Sequence, residues 1–288
     1  MHGPKTILMF LLAGAAALGA DFSGASALEY TRRAVALGPR PPGSAAIRKL
    51  QTLIAGEARA QGARVEEDNF TAQTPIGPVA MKNIIARFGG GSGRVVVLTG
   101  HYDTKHMLKI RFVGANDGGA STGFLLEMAR TLAGRNLAGQ VWLVWFDGEE
   151  AFGDWSATDG IYGSRHLAAR WAGDGTLPRV KALINVDMIG DKNLGILEEW
   201  NSTAALRKLV WQAAADLGYA RHFLNSLSAV EDDHMPFLRQ GAPALNLIDF
   251  DYPPWHTAGD TLDKLDAASF TVVGQVVHET LRRLQRLP

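Results

Sequence analysis

The chain has 288 residues, with 29 basic and 29 acidic side chains, 8 histidines, 47% hydrophobic residues and no cysteine. This balance is that of globular proteins, which excludes a disordered or fibrous chain, and zero net charge without a basic run argues against nucleic acid as a partner. Without cysteine there is no disulfide framework, no thiolate nucleophile and no sulfur ligand, so any metal has to be held by His, Asp and Glu.

Residues 1–20 read as a signal peptide. Lys5 gives a positive start, Ile7 to Leu18 an apolar stretch, and Leu18-Gly19-Ala20 small residues before a cut ahead of Asp21. The apolar run is short for a membrane span, and the missing cysteine excludes a lipoprotein anchor. An exported chain is expected, periplasmic or secreted, with no stable membrane association once the leader is cleaved. Residues 21–288 contain no internal repeat and no linker, which predicts one domain.

Helical spacing is predicted over Ala27 to Leu37 and Ala45 to Gln61, separated by Gly38-Pro39-Arg40-Pro41-Pro42-Gly43. A strand over Asn83 to Phe88 precedes Gly89-Gly90-Gly91-Ser92-Gly93. That glycine cluster lacks the Gly-Lys-Ser/Thr ending of a phosphate loop and is expected to be a hairpin turn. Strands at Val95 to Thr99, Val141 to Phe146, Val180 to Val186 and Ala244 to Ile248 alternate with helices at Thr122 to Leu132, Ser164 to Trp171, Thr203 to Leu217 and Phe270 to Leu284. Strands apolar on both faces, alternating with helices, predict an α/β fold with a mixed, mostly parallel sheet flanked by helices.

These strands do not end in ordinary turn residues. The Val95 strand runs into His101-Tyr102-Asp103 and the Val141 strand into Asp147-Gly148-Glu149-Glu150. The Val180 strand ends at Asp187, and the Ala244 strand leads through Asp249 to Trp255-His256. In open α/β sheets ligands bind beyond the carboxyl ends of the strands, so these groups should share a cleft, joined by Asp117 from Gly114-Ala115-Asn116-Asp117-Gly118-Gly119. So many carboxylates together call for a cation, and a mixed imidazole and carboxylate set suits zinc. One member of the Glu149-Glu150 pair can bind metal while the other carries protons.

Each residue also has a plainer explanation. His101 could be a hydrogen-bonded core histidine, Asp117 a turn or helix cap, Glu149-Glu150 a solvated loop and Asp187 a strand-end turn. Their joint arrival at strand ends favours a site. Gly119-Ala120-Ser121-Thr122-Gly123 fits a serine-hydrolase nucleophile elbow, but no buried strand precedes it, which places Ser121 in the first turn of a helix.

Gly114-Ala115-Asn116-Asp117, Phe146-Asp147-Gly148-Glu149-Glu150-Ala151-Phe152 and Trp255-His256-Thr257 resemble the zinc-dependent aminopeptidases in general. Two longer stretches narrow the likeness. Trp155-Ser156 with Asp159-Gly160-Ile161-Tyr162-Gly163-Ser164-Arg165-His166-Leu167-Ala168, and Asp232-Asp233-His234-Met235-Pro236-Phe237-Leu238-Arg239 with Gly241 and Pro243, resemble the animal-type glutaminyl cyclases from Ala27 onward.

That resemblance implies one zinc ion held by Asp117, Glu150 and His256, with Glu149 as general acid/base and Asp187 and Asp232 as a supporting carboxylate pair sharing a proton. It implies a pocket for glutamine walled by Trp155, Trp255 and Tyr252, the last standing where the family usually has phenylalanine. Glu231 stands where vertebrate members have glutamine and adds an acid at the rim. His101-Tyr102-Asp103 receives a supporting role.

The implied reaction is cyclisation of N-terminal glutamine of a peptide or protein to pyroglutamate with loss of ammonia, by a monomer. The rival is a two-zinc aminopeptidase, in which His101 and Asp187 hold a second metal, Asp117 bridges and Glu149 activates water. Every one of those residues is present, and the Trp155 and Asp232 stretches favour the cyclase. A third possibility, a dead binding module, predicts a missing ligand or proton carrier, and none is missing.

Overall fold

In the computed structural model, residues 21–91 and 93–287 are described, and the leader expected over residues 1–20 lies outside them. Along the chain run α1 (Gly24–Val35), α2 (Ala45–Ala60), β1 (Arg64–Thr74), β2 (Gly77–Phe88), β3 (Val95–His101), α3 (Gly119–Leu132), β4 (Gln140–Phe146) and α4 (Tyr162–Gly173). Then follow β5 (Val180–Asp187), β6 (Ile196–Glu199), α5 (Ala204–Asp216), β7 (Phe223–Ser228), α6 (Met235–Arg239), β8 (Ala244–Ile248) and α7 (Ala267–Arg286).

Six strands form one sheet in the order β1-β2-β4-β3-β5-β8, and β6 and β7 form a small parallel pair. Strands β4, β3, β5 and β8 are mutually parallel, whereas β1 and β2 are antiparallel. The expected α/β fold with a mostly parallel sheet is the one observed.

Alternation along each strand explains why the parallel strands read as unbroken apolar runs. Leu143 and Trp145 of β4 face the helices α1, α2, α3, α5 and α7, while Trp142, Val144 and Phe146 face α4 and α6. With both faces covered, each buried aliphatic side chain contributes about 2 kcal/mol. Helix starts follow local chemistry: the Ser23 and Ser44 side chains accept from the amides of Ser26 and Ile47, and Asp266 accepts from Ala268.

The glycine cluster after β2 is not a hairpin turn. β4 lies between β2 and β3, so the segment crosses the start of β4, where a side chain at Gly89 (φ +77°) would meet the Gly139 carbonyl at 2.7 Å. The hairpin is β1–β2, turning between Thr74 and Gly77. Four parallel strands deliver His101, Asp147, Asp187 and Asp249 to one edge of the sheet, as the sequence predicts.

Candidate active site

Three loops at that edge bring Asp117, Glu150 and His256 together. The Asp117 loop coils so tightly that a side chain at Gly114 (φ +51°) would lie 2.3 Å from the Asp117 carbonyl, and one at Gly118 (φ +77°) 2.2 Å from the Asp103 carbonyl. Buried Asp260 holds the loop from below: its carboxylate accepts from the Asn116 amide at 2.8 Å and the Asp117 amide at 3.2 Å. Asn116 in turn ties the loop to the end of β5, donating to the Met188 carbonyl and accepting from the Gly190 amide.

Glu149 and Glu150 follow β4 through Gly148. Their two backbone amides donate to the two oxygens of Asp103, at 3.1 and 3.3 Å, so the carboxylate after β3 fixes the acid pair after β4. His256 has φ +54°, a conformation that strains a residue with a Cβ. Trp255 stacks on its ring at 4.0 Å and Phe112 meets it edge-on at 5.8 Å.

His256 Nε2 lies 3.2 Å from Glu150 Oε1 and 3.3 Å from Asp117 Oδ2, and one donor atom from each residue falls within 4.8 Å of the others. A second group adjoins it: His101 Nε2 lies 3.2 Å from both Asp117 Oδ1 and Asp187 Oδ1, and His101 Nδ1 3.4 Å from Asp103. Asp117 belongs to both.

Burial and like charge pull these groups away from their ordinary titration. Burial, then the neighbouring Asp117, pushes Glu150 up to about 7. Burial also lifts Glu149 well above the carboxylate range, opposed by His101 and reinforced by Glu150, Asp232 and Asp233. Burial disfavours the His256 imidazolium, but Asp117 and Glu150 outweigh it and raise the ring to about 9. Asp187 rises to about 6, again from burial first. Such a cluster is charge-frustrated unless a cation occupies it.

A cavity of about 780 Å³ opens over the cluster, lined by Asp117, Glu149, Glu150, Asp187 and Asp232, with Trp155, Trp255 and Phe250 as its large aromatic walls. Trp155 and Trp255 are 41% and 39% exposed, as expected for rings that face a cavity. Gly160 (φ +123°) lets Trp155 lie against the backbone, since a side chain there would be 3.0 Å from the ring. Among the described residues the Glu149 carboxylate accepts no hydrogen bond, which leaves it open to a bound substrate.

Tyr252 is not in that wall. It is 3% exposed, and its hydroxyl donates to Asp260 Oδ1 at 2.8 Å, so it braces the platform beneath the Asp117 loop. Phe250, 46% exposed and 4.8 Å from the Trp255 ring, takes the wall position. Glu231 reaches the cavity rim paired with Arg239 at 2.8 Å. Ser121 is buried in α3 and donates to the His101 carbonyl, which removes the serine-hydrolase reading.

Asp232 is held by a chain of buried amides that sequence reasoning passed over. The Thr99 hydroxyl donates to Asn185, Asn185 to Asn246, and Asn246 Nδ2 to Asp232 Oδ2 at 2.7 Å, crossing β3, β5 and β8 in register. Polar residues inside otherwise apolar strands were the available signal. On the far side of that wall, fully buried Glu199 and His234 meet at 3.1 Å and anchor the segment carrying Asp232.

Residues 83–281 match Peptidase family M28. A glutaminyl-peptide cyclotransferase from Drosophila melanogaster is 32% identical over 232 residues, which is 71% of this chain and 66% of that protein. A crystal structure of an Acidobacteriales bacterium glutaminyl cyclase is 43% identical, covers 96% of this chain and 99% of its own, and superposes with a TM-score of 0.89. The chain belongs to the glutaminyl cyclases of peptidase family M28. A Zn-dependent exopeptidase from Parabacteroides distasonis shares the family fold at 28% identity and a TM-score of 0.83, covering 93% of this chain and 100% of its own.

The donor set of this M28 member fits zinc. Asp117 Oδ2 is a buried side-chain atom without a hydrogen-bond partner among the described residues, and Asp117, Glu150 and His256 each bring one hard or borderline donor atom from a separate loop to within 4.8 Å of the others.

Proposed function

We propose that this chain converts N-terminal glutamine of peptides and proteins to pyroglutamate with release of ammonia, using one zinc ion held by Asp117, Glu150 and His256. The observation that carries this reading is the cavity over that cluster, whose large aromatic walls are Trp155, Trp255 and Phe250, with buried Asp187 and Asp232 beside them.

Asp117, Glu150 and His256 would hold the zinc ion, which would supply Lewis acidity toward the side-chain amide carbonyl. The aromatic walls bury the aliphatic part of the glutamine side chain and hold the α-amine near the side-chain carbonyl carbon, Cδ. Ring closure within one bound residue then gains from proximity. The α-nitrogen bonds to the side-chain carbonyl carbon, Cδ, closing a five-membered ring, and the bond from Cδ to the amide nitrogen breaks. Glu149, free of other hydrogen bonds, accepts the proton lost by the amine and delivers it to the departing nitrogen, which leaves as ammonia. Asp187 and Asp232 support the leaving side of the pocket. Burial, with the like charges of Asp232 and Asp117, raises Asp187, which is the direction that sharing a proton with Asp232 requires.

The neighbouring group of His101, Asp117 and Asp187 is what favours the two-zinc aminopeptidase as a second reading. Paired assays separate them: ammonia release from a Gln peptide and aniline release from a Leu anilide, with zinc content measured on the same protein. Ammonia release with one zinc supports the cyclase, and Leu release with two zincs overturns it.

No helix among the described residues is long and apolar enough to cross a membrane. The leader reading adds export to the periplasm or exterior, and the chain is proposed to act as a monomer. N-terminal sequencing of the mature protein and its mass in solution test both.

A further inference from the structure

Arg40 is fully buried, yet among the described residues no carboxylate takes its hydrogen bonds. Its guanidinium donates instead to four backbone carbonyls: Nη1 to Val113 at 2.8 Å and Gly38 at 3.1 Å, Nη2 to Gly114 at 3.1 Å, and Nε to Tyr102 at 3.4 Å. Its backbone is fastened to the same place, with its amide donating to Thr104 Oγ1 at 2.8 Å and its carbonyl accepting from the Thr104 amide. Taking a cation out of water costs several kcal/mol, and here the four carbonyls offset it.

The location explains the choice. Tyr102 and Thr104 flank Asp103, whose carboxylate holds the amides of Glu149 and Glu150 and lies 3.4 Å from His101. Val113 and Gly114 are the entry to the tight coil that carries Asp117. One rigid planar fork therefore joins the segment leaving β3 to the metal-ligand loop. Its charge also sits within the field of Asp260, Asp103 and Asp117, the acids that surround the cluster.

We propose that Arg40 is a positioning residue for the metal centre, fixing Asp117 relative to the Asp103-held pair Glu149-Glu150. The proposal rests on the reading that Asp117, Glu150 and His256 bind zinc. Lysine keeps the charge but cannot reach four carbonyls in one plane, and methionine keeps the stem without the charge.

The test measures zinc affinity of the wild type, Arg40→Lys and Arg40→Met by competition with a chromogenic chelator, together with metal-free melting temperature and the kcat and KM of Gln-peptide turnover. Arg40→Lys is expected to melt cooperatively, to bind zinc about tenfold or more weakly and to lose kcat with little change in KM, the range seen when groups that orient ligands are removed. Methionine should weaken zinc at least as much. If Arg40→Lys lowers the metal-free melting temperature while zinc affinity and kcat stay at wild-type values, Arg40 only stabilises the fold and the proposal is overturned. A wild type that binds no zinc sinks the metal reading itself. Zinc binding without Gln-peptide turnover sinks the cyclase reading and leaves the affinity comparison to decide on Arg40.

Discussion

Asp117 meets His256 through Oδ2, 3.3 Å from Nε2, while its other oxygen stands 3.2 Å from Nε2 of His101. One carboxylate thus faces two imidazoles, and the account assigns metal to only one side. His256→Ala should lose zinc, whereas His101→Ala should retain close to one ion per chain. Metal analysis of the two purified variants checks this. Full zinc in His256→Ala removes that residue from the ligand set.

Glu149 is the proposed proton carrier and not a ligand. Glu149→Gln should keep its zinc and fall in turnover by about 100-fold or more, as expected for losing a general base. Loss of zinc in this variant would make Glu149 a ligand instead, and wild-type turnover would end its proposed role.

Phe250 and Tyr252 are two residues apart but do different work. Phe250→Ala opens the cavity wall and should raise KM for Gln peptides several-fold with a smaller change in stability. Tyr252→Phe removes the hydroxyl that Asp260 accepts and should cost about 1 kcal/mol of stability with KM nearly unchanged. Steady-state kinetics and urea titrations of both would expose a reversal.

Asp147 directly follows β4, and its carboxylate accepts from Gln51 and from the Lys82 amide rather than joining the cluster. Burial first, then Asp103, pushes it from 3.8 up to about 8. A carboxyl raised in the fold keeps its proton where the unfolded chain has lost it. Its stabilising contribution is complete below about pH 4 and is lost as pH rises toward about 8. Asp147→Asn removes that loss, so the variant should gain on the wild type by up to about 1.4 kcal/mol per pH unit across this window. Urea unfolding at several pH values measures the difference, and a gap independent of pH would mean that Asp147 is ionised in the fold.

Much of this site was legible because parallel strands buried on both faces tolerate little but apolar residues, so a His or Asp at their carboxyl ends stands out. That signal located Asp117, Glu149, Glu150, Asp187 and His256 at one edge. The β1–β2 hairpin was not legible as a pair, since β1 is an edge strand, Arg64–Thr74, in which Val65, Phe70 and Ala72 are the only apolar residues and the inward position between them is taken by Asp68. The glycine cluster misled for a topological reason: local sequence cannot tell a hairpin from a crossing over a strand that comes later. Arg40 hid in a Pro/Gly-rich connection because its partners are backbone carbonyls, which leave no residue pattern. Phe250 was displaced by Tyr252 because the turn after β8 sets which aromatic faces the cavity, and that turn is fixed by Asp249 accepting from the Asp251 and Gly195 amides.

The most direct measurement is the mass of what the purified protein makes from a dipeptide beginning with glutamine. A product lighter by one ammonia, with the peptide bond intact, is the predicted result. Two free amino acids would contradict it.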